Sequence, residues 1–325
     1  MDPLWLGRED LAALLSVAEC IPLMEQALRA LARGEAQQPL RQVLRPAGSA
    51  GALASMPATL ASLGVMGMKA LTIFPENHAV GVESHQGAVL LFDAADGRLL
   101  CALDAAPITA VRTAAVSAVA TRLLAREDAG DLTLLGAGVQ AEAHLAAIRL
   151  VREIRRVRVW SRTPAHAAAF VRRMSEAHGG GIEVAASARE AVEDAAIVCA
   201  ITAASEPVLQ GAWLAPGAHV NAVGSSTPQA RELDAAAVAR ARLFVDRRES
   251  AMAEAGDFLR ARAEGAVSDG SIVAELGELL LGAPGRRTAD EITLFKSVGL
   301  GIEDVATARH AYEKALRLGA GTRLR

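Results

Sequence analysis

Residues 131–141 read Asp-Leu-Thr-Leu-Leu-Gly-Ala-Gly-Val-Gln-Ala, and this stretch decides the fold. Leu132 to Leu135 is a short apolar run of strand character, and Gly136-Ala137-Gly138-Val139-Gln140-Ala141 comes directly after it and opens a helical segment. In that context a GxGxxA sequence has a physical meaning. Gly136 permits the tight turn, Gly138 lets the backbone approach a pyrophosphate, and Ala141 allows close helix packing while helix N–H groups face the anion. Glycine-rich turns also occur without any ligand, so the weight comes from the downstream segments. Strands predicted at Val157 to Trp160, Ile182 to Ala185, Ile197 to Ala200, His219 to Val223 and Leu243 to Val245 alternate with helices from Val139, Pro164 and Arg189. Strands separated by crossovers of this length pair in parallel, which predicts a doubly wound sheet.

Ahead of this region the texture differs. Ser16 with Glu19 forms a capping box for a helix from about Val17 to Arg33, stopped by Gly34. From Gln42 to Asp104 short apolar runs are punctuated by Gly and Pro, and Ala94-Ala95-Asp96-Gly97 reads as a hairpin turn between Ala88–Phe92 and Leu99–Leu103. An antiparallel sheet is expected there, then a helix over Pro107 to Leu124. Gly301 to Arg317 is a last helix, which spacing alone assigns to neither domain. The fold class is therefore α/β, a Rossmann doubly wound parallel sheet plus a smaller α+β domain.

The chain has 325 residues, enough for about two domains with buried cores. Aromatic residues are only 3% and Lys+Arg 34 nearly balance Asp+Glu 37, so neither base stacking nor a basic field recommends a nucleic acid or an anionic lipid surface. A small molecule is the expected partner. Cys20, Cys101 and Cys199 match neither a disulfide framework nor a metal site, and the seven histidines show no ligand spacing, so no metal is expected. A reducing, cytoplasmic setting fits. The uncharged stretches Pro46 to Met68 and Pro207 to Ala230 are broken by Pro, Gly and polar residues, which argues against a membrane span.

The end of the second strand bears on which dinucleotide is bound. An NAD enzyme usually carries Asp or Glu there to hold the ribose 2′-OH, whereas this chain has Trp160-Ser161-Arg162-Thr163. Arg162 can pair with a 2′-phosphate, with Ser161 and Thr163 donating hydroxyl hydrogen bonds, so NADP(H) is preferred and NAD(H) remains possible. Arg162 as a plain solvated loop cation is the competing reading.

Taken together, the chain resembles the ornithine cyclodeaminase and mu-crystallin family over nearly its whole length. The resemblance rests on Gln38–Arg41, Met66–Lys69, Ser84–Gly87, Ile108–Ala115, the 136–141 loop, Asn221–Ser226, Arg231–Asp234, Phe295–Gly299 and Glu303-Asp304. It implies a substrate-binding and homodimerisation domain from residues 1–115 with 301–325, and a Rossmann dinucleotide-binding domain over 116–300. It also implies cofactor contacts from Thr113, Gly136, Gly138, Val139, Gln140, Ser161, Arg162, Thr163, Val223, Gly224 and Val298.

Arg41, Lys69 and Arg112 come from separate segments, and an imino or amino acid carboxylate needs such converging cations. Solvated salt bridges are the alternative for Arg41 and Lys69. Arg112 reads as lying in the first turn of its helix, where a cation opposes the helix dipole unless an anion compensates it. By resemblance His85 lies near the substrate; on its own it reads rather as a hydrogen-bonded loop histidine. Glu303 and Asp304, being adjacent, read as a helix-start pair rather than an acid/base site.

The family's ornithine cyclodeaminases carry an aspartate where this chain has Ser226, while its ketimine reductases and pyrroline-2-carboxylate reductases carry serine. The resemblance thus implies NADPH-dependent reduction of a small cyclic imino acid, with Lys69 and Ser226 as the catalytic candidates and Arg41, Lys69, His85 and Arg112 binding the substrate. Ornithine deamination and non-catalytic NADPH-dependent ligand binding of the mu-crystallin type are the alternatives.

Overall fold

A computed structural model describes residues 2–74, 77, 81–178 and 180–324. The chain forms two units, Met1–Thr113 with Leu300–Arg325, and Ala114–Gly299.

The first unit is built on β1 Leu4–Leu6, α1 Arg8–Leu14, α2 Val17–Ala32, β2 Ala36–Gln37, β3 Gln42–Leu44, β4 Ala52–Leu60, β5 Val65–Ile73, β6 His85–Asp93 and β7 Leu99–Asp104. Ser16 caps α2, its hydroxyl accepting the Glu19 N–H at 3.3 Å, as the capping-box reading expects. Strands β4 to β7 form an antiparallel meander, and the hairpin between β6 and β7 closes where Gly97 takes a left-handed φ of 77°. Three-residue β1 adds parallel to β7 and is itself paired by β16 Thr322–Arg323 at the far end of the chain. Neither is legible as a strand in isolation.

Helix α3 Ala105–Leu124 starts two residues earlier than its sequence pattern suggests, because Asp104 Oδ1 accepts the Ala106 N–H at 2.9 Å and caps it. The boundary between the units falls within this helix. The last helix, α11 Gly301–Leu318, packs on β4, β5 and β6 and on α2, which assigns it to the first unit. Two glycines set its approach. A Cβ on Gly67 of β5 would lie 2.9 Å from Val305 Cγ2, and one on Gly301 would lie 2.9 Å from the Met56 carbonyl oxygen.

The second unit alternates β8 Asp131–Leu135, α4 Val139–Arg149, β9 Arg156–Trp160, α5 Pro164–His178, β10 Ile182–Val184, α6 Ala188–Val192, β11 Ile197–Ala200, β12 His219–Ala222, α7 Ala235–Arg240, β13 Arg242–Val245, α8 Arg248–Glu254, α9 Gly256–Ala263, β14 Ile272–Glu275, α10 Leu276–Leu280 and β15 Thr293–Lys296. The sheet runs β10-β9-β8-β11-β12-β15-β13-β14, parallel throughout. Strand order reverses beside β8, the switch point at which such sheets bind ligands. The apolar runs are continuous because both faces are covered. In β11, Ile197 and Cys199 enter one core with Leu132, Val157 and Phe170, while Val198 and Ala200 enter the other with Val220, Leu243 and Leu294.

The C-terminal turns of α3 are held by a guanidinium. Arg152 donates to the carbonyls of Thr121, Arg122, Ala125 and Arg126 at 2.9 to 3.1 Å, which satisfies acceptors that a helix end leaves without partners. On the same helix Thr121 Oγ1 accepts from Asn221 Nδ2 at 2.9 Å, and Ser117 Oγ lies 2.9 Å from His144 Nε2. Burial drives the His144 pKa down to about 4, so this histidine stays neutral. Among the described residues no single helix is long and apolar enough to cross a membrane.

Arg152→Ala is expected to destabilise the protein by about 2 kcal/mol, the scale of charge-assisted hydrogen bonds returned partly to water. Urea unfolding measures this, and Arg152→Lys, which keeps the charge but loses the fork, should recover less than half of it.

Candidate active site

Of the three lysines in the chain, Lys69, Lys296 and Lys314, two are almost wholly buried, in a protein whose other fixed cations are arginines. Lys69 lies in the middle of β5, paired with Met56 and Val89, on the face that α11 covers. Its Nζ is 2.9 and 2.8 Å from the two carboxylate oxygens of Asp304, in the first turn of α11, and 3.4 Å from Thr109 Oγ1 of α3. Arg112, one turn beyond Thr109, donates from Nε to Asp304 Oδ1 at 3.1 Å and from Nη1 to Glu303 Oε2 at 2.6 Å. Glu303 also accepts the Leu300 N–H at 3.2 Å, and Gln38 Oε1 accepts the Ile302 N–H at 3.0 Å, so the start of α11 is fixed from both sides.

Two sequence readings are corrected here. Arg112 is not in the first turn of its helix but two turns in, because the helix begins at Ala105. The anions that compensate it are Glu303 and Asp304, which are not a helix-start pair alone. Although adjacent in sequence, both reach the same guanidinium and both are fully buried. A signal was available: two buried cations of one apolar unit require counter-charges, and adjacent carboxylates at the start of a largely apolar last helix are able to supply them.

The electrostatics follow from burial. Desolvation, then the charge of Arg112, lower the Lys69 pKa to about 8, against the opposing pull of Asp304; the charge of Arg41 acts in the same direction as that of Arg112. Arg41, half-buried just before β3, therefore belongs to the group. Lys69 and Arg112 are held by Asp304 and Glu303, two cations against two carboxylates. His85 lies on the same sheet face as Lys69 but four residues along, about 13 Å at strand rise, exposed, with Nδ1 2.9 Å from Ser84 Oγ.

The second unit carries the glycine-rich turn. Gly136 comes after β8 with φ 122°, and a Cβ there would lie 2.8 Å from the Ile201 carbonyl oxygen, so only glycine fits. At Gly138 an added Cβ would meet nothing within 4 Å. Among the described residues no neighbour demands glycine there, which is the pattern expected where the missing side chain makes room for a ligand. Gly138 begins α4 without a side-chain cap, Val139 is exposed beside it, Gln140 is half-buried and Ala141 is buried. These features fit a pyrophosphate at the helix start. Ser161, Arg162 and Thr163 come after β9 with Arg162 and Thr163 exposed, and no carboxylate stands among them. Val223, Gly224 and Ser226 come after β12, and Val298 after β15 with its N–H held at 2.7 Å by the buried carboxylate of Asp246. Thr113 is buried in α3 at the last position of the first unit's leading segment.

A titration checks the cluster. Lys69 is expected to titrate near pH 8 in carbon-13 NMR of the lysine side chains, where three lysines make assignment direct. Asp304→Asn removes the charge that keeps the proton on and should move that value lower. A Lys69 signal titrating near the ordinary 10.5, or unmoved in Asp304→Asn, contradicts the arrangement.

Comparison with known proteins finds relatives along nearly the whole chain. The chain is 39% identical over 315 residues to the ketimine reductase mu-crystallin of Mus musculus, covering 96% of this chain and 97% of that one. Its fold superposes with a TM-score of 0.96 on the Δ1-pyrroline-2-carboxylate reductase of Thermococcus litoralis, solved in complex with NADH and L-proline, at 41% identity and over 99% and 100% of the two chains. An archaeal alanine dehydrogenase dimer with bound NAD superposes at 0.94, with 32% identity over 100% of this chain and 99% of that one. A family model matches residues 1–318, and the chain belongs to the ornithine cyclodeaminase/mu-crystallin family.

Proposed function

We propose that the protein reduces a small cyclic imino acid, Δ1-pyrroline-2-carboxylate or Δ1-piperideine-2-carboxylate, to proline or pipecolate with a nicotinamide dinucleotide. The observation that carries this reading is the buried Lys69, an ammonium poised near pH 8 between Arg112 and Asp304. The mu-crystallin and pyrroline-2-carboxylate reductase relatives carry imine-reductase names, which supports the same chemistry.

Arg41 and Arg112 bind the substrate carboxylate, and the Glu303 and Asp304 carboxylates hold Arg112 so that little side-chain freedom is lost on binding. Lys69 donates its proton to the imine nitrogen, which makes the adjacent carbon electrophilic, and is reprotonated from solvent. The bound nicotinamide supplies the hydride that this carbon accepts, and the product is the neutral-nitrogen ring amine, protonated in water. Ser226 is the second catalytic candidate and offers a hydroxyl. Lacking a carboxylate, it offers an ornithine ammonium no ionised partner.

NADPH is the preferred coenzyme in this reading. Its support is Arg162, exposed after β9 between two hydroxyl residues with no acid to hold a ribose 2′-OH. Self-association into a homodimer is supported by apolar side chains left exposed on the first unit, among them Val43, Leu44 and Leu53, and by the dimeric state named for the archaeal neighbour.

Wild-type protein is expected to oxidise NADPH with the cyclic imines and to release no ammonia from ornithine. Arg112→Lys should lower kcat/KM about 100-fold, roughly 2.7 kcal/mol, because the bidentate fork is lost. Ammonia release from ornithine without imine reduction makes it a cyclodeaminase; ligand binding with neither reaction makes it a carrier. Preference for NADPH over NADH should be at least about tenfold and vanish in Arg162→Ala, on the strength of one charge-assisted contact. Sedimentation at micromolar concentration should give twice the chain mass.

A further inference from the structure

The stretch Arg231-Glu232-Leu233-Asp234 has a role that the proposed chemistry leaves unused. Asp234 caps α7. Glu232 is completely buried, and the hydrogen bonds its carboxylate accepts come from two loops. Oε1 accepts the Thr202 N–H at 2.5 Å and the Thr202 hydroxyl at 2.8 Å, in the loop after β11. Oε2 accepts the Gly224 N–H at 2.7 Å, in the loop after β12. A Cβ on Gly224 would overlap the Thr202 carbonyl oxygen and lie 2.6 Å from Glu232 Cδ, so a glycine is required for the two loops and the carboxylate to meet.

Behind it stands a second layer. Asp257 Oδ1 accepts the N–H groups of Glu232 and Leu233 at 2.8 and 2.9 Å, and its Oδ2 is 3.2 Å from Lys296 Nζ, which in turn donates to the Ala222 carbonyl at 3.2 Å. The carboxyl ends of the adjacent strands β11, β12 and β15 are thereby joined, beyond the edge where a doubly wound sheet receives its ligand.

We propose that Glu232 is a positioning residue for coenzyme binding, tying the β11 and β12 loops together so that Val223, Gly224 and Ser226 are presented in one fixed arrangement. This rests on the reading that the second unit holds a nicotinamide dinucleotide. Glu232 acts through those loops and touches no reacting atom. Its role depends on ionisation, because three donors converge on it and a protonated carboxyl would turn one oxygen from acceptor to donor. Burial first, then the neighbouring Asp257, push its pKa up to about 7, while Lys296 and the Thr202 hydrogen bonds oppose the rise. The charged groups facing it from the packed elements are Asp257 of α9 and Lys296 of β15. The loops are therefore held above about pH 7 and released as the pH falls through that value.

The test is coenzyme affinity, read by nicotinamide fluorescence with NADH and NADPH between pH 5.5 and 9, without substrate. NADH is the decisive probe, since the 2′-phosphate of NADPH itself titrates in this range. Wild-type Kd for NADH is expected to rise about tenfold between pH 8 and 6. In Glu232→Gln it should be about tenfold weaker at pH 8 and flat with pH, with circular dichroism unchanged. Thr202→Val keeps the backbone donor and removes a hydroxyl that favours the ionised form, so its pH midpoint should move upward. A Glu232→Gln protein with wild-type affinity and pH profile, or a Thr202→Val midpoint that stays in place, overturns the positioning role. A wild type that binds neither coenzyme at any pH overturns that role and the reductase reading together.

Discussion

The ion pair between Lys69 and Asp304 joins residues 235 apart in sequence and is the contact on which the first unit depends. A buried ammonium and a buried carboxylate each lose several kcal/mol of hydration, and removing one partner of such a pair typically costs about 3–5 kcal/mol. Here the geometry is shared. Asp304 serves both Lys69 and Arg112, and Glu303 serves Arg112 while capping its own helix. Hydrophobic side chains of equal volume could hold α11 against the sheet as well; what the network adds is that two cations are buried in one fixed arrangement with their counter-ions. Fold and site use the same four side chains.

The second unit solves a related problem with the opposite sign. Parallel strands end in loops whose N–H groups point toward the ligand edge of the sheet and need acceptors. Buried carboxylates provide them: Asp246 accepts from Arg247, Val298 and Gly299, Asp257 from Glu232 and Leu233, and Glu232 from Thr202 and Gly224. Each is an anion solvated by backbone rather than by arginine. Loops held this way depend on the carboxylate staying ionised, because protonation turns one acceptor oxygen into a donor.

The parallel unit is largely legible in sequence because its signals are local. Apolar runs of four or five residues, the glycine pair 136/138 and helical starts at Val139 and Pro164 each carry their meaning within a dozen residues, and the family motifs match along the chain. The features that escape the sequence are non-local. The strand Leu4–Leu6 exists because Leu99–Asp104 and Thr322–Arg323 pair with it, and residues 272–275 and 293–296 become strands by joining a sheet edge or filling a gap between earlier strands. Likewise chemistry singles out Lys69 and Arg112 as cations, but their counter-ions lie nearly two hundred residues or more away, and a pair of adjacent acids gives no local reason to be joined to them.

The discontinuity of the first unit has a consequence for how the protein is made. Residues up to 113 leave the ribosome with Lys69 and Arg112 already in the chain, yet the helix bearing Glu303 and Asp304 is translated after the whole of the second unit. The second unit has its complete sheet before then and can fold on its own during synthesis, at the usual pace of about 5–20 residues per second. The first must wait with its sheet face uncovered and its two cations hydrated. Release of the C-terminus is therefore the step that lets α11 cover the first sheet, and a chain cut short before residue 300 would carry the whole parallel sheet while lacking the two carboxylates that hold Lys69 and Arg112.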